Sequence, residues 1–212
     1  MQFDNQSIKT NSELRRSARE QLSGNWGTAI LLCLIFSIIC GAPGLIFTKI
    51  NPYIGQVISI LLTGPLTLGL YTCFLKLVRH EPFRFENLFD GFKRFSSSVI
   101  AQLLITIFVF LWALLLLIPG IIASYGYSMV FYILSDNPEI SAMEALNRSK
   151  EMMKGFKWKL FCLHLSFIGW ALLGILTLGI GYLWLTPYIY GSTTNFYENL
   201  KATQLNKNSF TV

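Results

Sequence analysis

Apolar residues fill six stretches of the chain, and the segments before the first, third and fifth mix apolar and charged positions at helical spacing. The apolar stretches predict membrane spans at 26–48, 53–78, 99–118, 120–135, 159–180 and 182–198. A helix needs roughly 20 apolar residues to cross the hydrocarbon core. Stretches one, two, three and five meet that length, the fourth is short, and the sixth is short and polar. The sixth therefore reads as a tilted span, a re-entrant piece, or a helix emerging early into the cytoplasm.

The mixed segments predict amphipathic helices. In 141–156, Ala142, Ala145, Leu146, Ser149, Met153 and Phe156 share one face, and Glu144, Arg148, Glu151 and Lys154 another. Ser141 with Glu144 and Thr10 with Glu13 have the spacing of capping boxes, and Glu144 and Arg148 are spaced for an ion pair. Leu14, Ala18 and Leu22 make the stripe of the first segment; Phe85, Leu88, Phe89 and Phe92 make that of the second. Such helices are expected to lie in the headgroup plane, apolar face down. Gly24, Gly91 and Gly155, each followed closely by an aromatic, are the candidate elbows where the chain turns from lying flat to crossing. Together these segments predict a three-fold internal repeat over 10–78, 83–135 and 138–198, each copy an interfacial helix and two spans. The fold class is all-α: a polytopic transmembrane helix bundle, one integral membrane domain over 1–212. Residues 1–25 form a cytoplasmic amphipathic segment and 199–212 a cytoplasmic tail.

Charge sets the orientation. Of the 17 Lys and Arg residues only Lys49 falls in an odd-numbered loop. The positive-inside rule places both termini and the even loops in the cytoplasm of a cell membrane. The odd loops read as tight turns: Gly41-Ala42-Pro43-Gly44, Ile118-Pro119-Gly120 and the stretch 176–181. Composition agrees. The chain is 53% hydrophobic and 13% charged, against about 25% charged in soluble domains. The four cysteines lie inside apolar runs and read as small apolar fillers. A long polar segment precedes Trp26, so a signal peptide is not expected and the N-terminus is expected to be retained.

Several motifs then become familiar. Ile118-Pro119-Gly120, Asp136-Asn137-Pro138, Glu144-Ala145-Leu146 with Ser149, Met153 with Gly155 and Lys157, the run Ser166–Trp170, Pro187-Tyr188 and the stretch 195–200 resemble a bacterial family of multi-pass membrane proteins known as domain of unknown function 975. The resemblance covers almost the whole chain. It implies a membrane fold and supplies no activity. That family looks related to membrane domains attached to some glycerophosphodiesterases, and this chain shows no such soluble catalytic segment.

No Asp, Glu, Lys or Arg falls at membrane depth, no nucleotide loop or metal-ligand cluster is apparent, and no cofactor or nucleic-acid partner is implied. His164 is the one imidazole inside a span, readable as a relay or as a hydrogen-bonded structural group. His164, Tyr188, Tyr190, Thr193 and Asn195 are the candidate polar cavity. Asp90, Asp136, Glu139, Glu144 and Glu151 read as caps and counter-charges rather than a paired-carboxylate site. The stripes Gly120, Ser124, Ser128 and Ser59, Thr63, Thr67 fit close helix packing or a polar path. Candidate contacts for anionic lipid headgroups are Arg15, Arg16, Arg19, Lys93, Arg94, Arg148, Lys150, Lys154, Lys157 and Lys159. The expected role is a non-enzymatic organiser of the lipid surface or a scaffold, with a small transporter or channel as the alternative.

Overall fold

The computed structural model describes residues 9–47 and 52–209. Lys49 lies outside the described residues, as does the side chain of Lys207. Every element among the described residues is a helix. Helix α1 (Asn11–Leu22) precedes a hairpin of α2 (Trp26–Phe47) and α3 (Pro52–Val78). A 3₁₀ segment (Phe85–Arg94) precedes a second hairpin of α4 (Phe95–Leu115) with α5 (Leu117–Tyr127) and α6 (Val130–Asp136). Helix α7 (Ala142–Met152) precedes a third, of α8 (Lys157–Leu165) and α9 (Ile168–Leu176) with α10 (Tyr182–Ser209). Among the described residues five segments are long and apolar enough to cross a membrane: Trp26–Phe47, Tyr53–Val78, Phe85–Leu114, Leu117–Asp136 and Lys157–Leu176.

The hairpin tips expose apolar side chains. Leu45, Leu114 and Leu178 are 81%, 72% and 95% exposed. Water does not tolerate such surface in quantity, and acyl chains do. At the other end the hairpins are tied together. Leu14, Ala18 and Leu22 of α1 are fully buried against protein, as are Ala145 and Leu146 of α7 and Leu88 of the 3₁₀ segment. Leu14 joins an apolar cluster with Leu146, Leu163 and Phe196, while Leu22 joins another with Leu32, Leu70 and Phe74. For α1 and α7 this corrects the expectation that the amphipathic helices press their apolar faces into lipid: their stripes bury on neighbouring helices, each Leu contributing about 2 kcal/mol. In the 3₁₀ segment Leu88 is buried while Phe85 and Phe89 stay 47% and 45% exposed.

Other expectations shift for physical reasons. Helix α2 continues through Pro43 to Phe47, so residues 41–44 are helical and not a turn. The second turn falls at the extended Leu116, and Pro119 sits in the first turn of α5, where its missing N–H costs nothing. The third turn holds as predicted, with Leu178 and Gly179 at φ 54° and 90°. The fourth and fifth apolar stretches are each broken midway, at Ser128–Met129 and Ser166–Phe167. The sixth is continuous: α10 runs 28 residues through Pro187, roughly 42 Å at 1.5 Å per residue. It extends past residue 198 without a break.

The elbows separate into two kinds. Gly24 and Gly155 have φ of 84° and 85°, with open space around them. Gly91 is not an elbow. It lies within the 3₁₀ segment, where a Cβ would stand 1.9 Å from the Pro65 carbonyl oxygen, and Gly69 opposite leaves only 1.8 Å to that of Leu88. The three-residue period of a 3₁₀ helix puts Leu88 and Gly91 on the α3 side. It also stacks Phe89, Phe92 and Phe95 in a row, centroids 6.3 Å apart.

Candidate functional site

The site begins with the capped ends of two short helices. Thr10 and Glu13 close the predicted capping box, with the Glu13 carboxylate accepting from the Thr10 backbone at 2.7 Å and hydroxyl at 2.8 Å. Those two bonds hold the Glu13 pKa below the ordinary carboxylate value. Ser141 caps α7 by accepting from the Glu144 N–H, and Arg148 donates to the Glu144 carboxylate at 2.6 Å.

From these ends α1 runs antiparallel to α10. The Lys9 N–H donates to Asn199 at 2.9 Å, Gln21 exchanges amide hydrogen bonds with Asn195 at 2.6 and 3.2 Å, and Ala18 packs on Gly191. The polar stretch of α10 is therefore covered by the bundle. Ser192, Thr193, Thr194 and Asn195 are buried. Thr194 meets the Tyr132 hydroxyl at 3.1 Å, and Thr193 meets His164 Nε2 at 3.2 Å. The other ring nitrogen of His164 faces the Tyr125 hydroxyl at 3.4 Å. Tyr190 stacks on Phe74 and stands edge-on to Tyr71. Tyr188 packs edge-on to Phe167 and takes a hydrogen bond from Arg19 at 3.2 Å. The five predicted cavity residues thus lie along or against α10, each with a side-chain partner. The hydroxyls of Thr63, Ser124 and Ser128 bond to carbonyls of their own helices.

Eight of the ten predicted headgroup cations fall into three groups. Two face inward. Arg15 donates to the Ser166 carbonyl at 3.2 Å and covers the Phe167 ring, capping the carbonyl end of α8. Arg94 donates to the carbonyls of Leu134 and Asn137 at the end of α6. Both sit where a helix dipole is negative. A second group pairs at the surface: Arg16 with Glu20 at 3.9 Å, Lys93 with Asp90 at 2.7 Å, and Arg148 with Glu144. The third lies on or beside aromatic and small residues. Arg19 is 5.8 Å from the Tyr188 ring, Lys150 is 5.7 Å from the Tyr127 ring, and Lys157 lies against Gly126. Lys154 is exposed and Lys159 half-buried.

The strongest charge cluster was not singled out in the sequence. Asp136, whose side chain is 6% exposed, accepts from Arg79 at 2.8 Å, Lys201 at 2.5 Å and the Tyr197 hydroxyl at 2.9 Å. Arg79 also reaches Glu198 at 2.6 Å. Burial disfavours the Arg79 charge, yet hydrogen bonds to Asp136 and Glu198 outweigh it and raise the pKa. Asp136 belongs to the Asp-Asn-Pro motif and Tyr197 and Glu198 to the 195–200 stretch, so part of the signal was present, but nothing in sequence paired them with Arg79 and Lys201 across α3, α6 and α10. Both Asp136 oxygens are engaged, so the cluster clamps the ends of α3 and α6 to α10 and offers no free base. Beside it lies a polar cavity of about 600 Å³, lined by Asn137, Arg148, Glu151, Tyr197 and Lys201. Among the described residues no three metal-ligating side chains converge.

The chain matches the family described as "Protein of unknown function (DUF975)" over residues 1–123 and 113–204. It belongs to that family. No curated protein and no solved structure matches it. Family membership therefore carries no activity to these residues.

Proposed function

We propose that this DUF975 protein is a six-span protein of the bacterial cell membrane, with both termini in the cytoplasm, that organises anionic lipid at the cytoplasmic surface and scaffolds partners there. In this reading the three hairpins with their leading helices are three repeats of one unit, and α10 is the sixth crossing. The observation that carries it is the segregation of charge. Exposed Arg16, Lys93, Arg148 and Lys154 sit on the leading helices and their ends, while the hairpin tips expose Leu45, Leu114 and Leu178. Each cation near an anionic leaflet contributes about 1 kcal/mol. The covered polar face of α10 favours a packed bundle over a transport path.

The test is lipid analysis of protein purified from a mixed bilayer. Replacing Arg148, Lys150 and Lys154 together with Gln should lower co-purifying phosphatidylglycerol severalfold without changing phosphatidylethanolamine. Equal retention of anionic lipid by both proteins would sink the reading.

A further inference from the structure

The polar cavity beside the clamp, of about 600 Å³, falls within the roughly 300–1,000 Å³ of ligand sites. Arg148, Glu151 and Met152 line it from α7, and Tyr197, Lys201 and Gln204 from α10. Exposure places it outside the hydrocarbon. Among the described residues, Met143 is the one large apolar side chain strongly exposed between 123 and 157, and none is between 185 and 204. Acyl chains have nothing to cover at this end, so the cavity opens to water. On the six-span reading that water is the cytoplasm, because α7 lies between the fourth and fifth spans and Lys201 follows the sixth.

Charge in this lining balances except at one group. Arg148 faces Glu144, and Lys201 faces Asp136. Glu151 is a helical neighbour of Arg148, yet among the described residues it makes no ion pair. Hydrogen-bonding capacity is distributed differently. The Arg148 bond to Glu144 takes one of five guanidinium N–H groups, and the Lys201 bond to Asp136 one of three ammonium N–H groups. The Gln204 amide adds further donors. A simple anion would find both cations already paired and Glu151 opposing it. A simple cation would answer Glu151 and face the spare donors of Arg148 and Lys201. A ligand that carries both signs satisfies both sets of groups. Ile133 and Met152 give its body an apolar wall.

We propose that this cavity binds a small cytoplasmic zwitterion of the amino-acid class. Its carboxylate accepts from Arg148 and Lys201, its ammonium donates to Glu151, and an apolar side chain lies on Ile133 and Met152. The site goes beyond lipid organisation: its ligand is soluble, and the residue that decides its selectivity, Glu151, is an acid. Lys201 also holds Asp136, so an occupied site stabilises the clamp that joins α3, α6 and α10.

Isothermal titration calorimetry on the full-length protein in nanodiscs tests this with three probes of one shape: L-leucine, L-leucinamide and N-acetyl-L-leucine, a zwitterion, a cation and an anion. Leucine should bind saturably and raise the Tm. Each singly charged probe lacks one charge-assisted contact and should bind about tenfold more weakly. Glu151→Gln should weaken leucine about tenfold and remove its advantage over N-acetyl-leucine. Glu139→Gln makes the same charge change at an exposed site outside the lining and should leave leucine binding unchanged. Gln204→Trp should fill the cavity and abolish binding with Glu151 intact, gel filtration confirming that each variant is folded. Phosphatidylglycerol retention by Glu151→Gln should equal wild type, so the surface reading is judged separately. Absence of saturable leucine binding, equal or tighter binding of either singly charged probe, or undiminished leucine binding in folded Glu151→Gln and Gln204→Trp would overturn the site.

Discussion

Arg79 and Asp136 lie 57 positions apart in sequence and 2.8 Å apart in space. The pair joins the end of α3 to the end of α6, and Lys201 and Glu198 bring in α10. Three hairpins are thus locked at one end by ionic groups, while Leu45, Leu114 and Leu178 are exposed toward the other. Asp136→Asn keeps the shape and removes the charge that faces two cations. Losing hydrogen bonds to charged partners at a mostly buried site costs about 2 kcal/mol. Thermal unfolding in detergent should show a clear fall in Tm. Glu198→Gln, at a site 29% exposed, should lower it much less. Equal shifts would mean that Asp136 is not the centre of the clamp.

Gly91 and Gly155 should tolerate different substitutions. At Gly155 the constraint is φ, +85° with open space around it; Asn enters that region readily, whereas Val does not. Gly155→Asn should fold at near wild-type yield and Gly155→Val poorly. At Gly91 the constraint is contact with the Pro65 carbonyl, so even Gly91→Ala must push the 3₁₀ segment off α3. Monodisperse yield on gel filtration compares all three. A tolerated Gly91→Ala would show that this segment is not tightly seated.

The sequence made the hairpins legible because apolar runs and turn residues are local signals. Thr10 with Glu13, and the positive φ of Gly24 and Gly155, were readable for the same reason. The path through Pro43 and Pro187 was not. Pro stops a helix in water, but a packed or lipid environment leaves the chain no better alternative than continuing. Gly91 was misread because its role depends on Pro65 and Gly69 across the hairpin. In the candidate site, the residue types were visible and their partners were not. Arg15 looked like any surface cation, and its acceptor, Ser166, is 151 positions away. Asp136 was read as a counter-charge, which describes its bonds, without any means of naming Arg79.

Acid should loosen α1 first. The folded pKa of Glu13 is depressed by its bonds to Thr10. Its contribution is therefore fully present above the unfolded value, near 4.5, and is lost as pH falls through the folded value. Amide exchange in residues 11–16, corrected for intrinsic rates, should accelerate below that range while α10 stays protected. Thr10→Ala, which removes the cap at a cost of about 1 kcal/mol, should give the fast exchange already at pH 7. A pH-independent α1 would mean that packing on α10 alone holds it.

The position of the C-terminus tests the six-span topology. Helix α10 is not among the five segments apolar enough to cross by composition, yet its 28 residues are long enough to do so. Its polar residues do not oppose crossing, because Ser192, Thr193, Thr194 and Asn195 are buried within the bundle. The clamp adds a constraint: Glu198 and Lys201 of α10 bond to the same residues, Arg79 and Asp136, that end α3 and α6. Wherever the loop after α3 lies, residues 198–201 must lie too. On the proposed orientation that loop is cytoplasmic, so residue 209 should be there as well. A fluorescent protein fused after Val212 should glow, and alkaline phosphatase at the same point should be inactive. Active phosphatase with a dark fluorescent fusion would put the C-terminus outside, and would require either five crossings or a clamp that does not form in the bilayer.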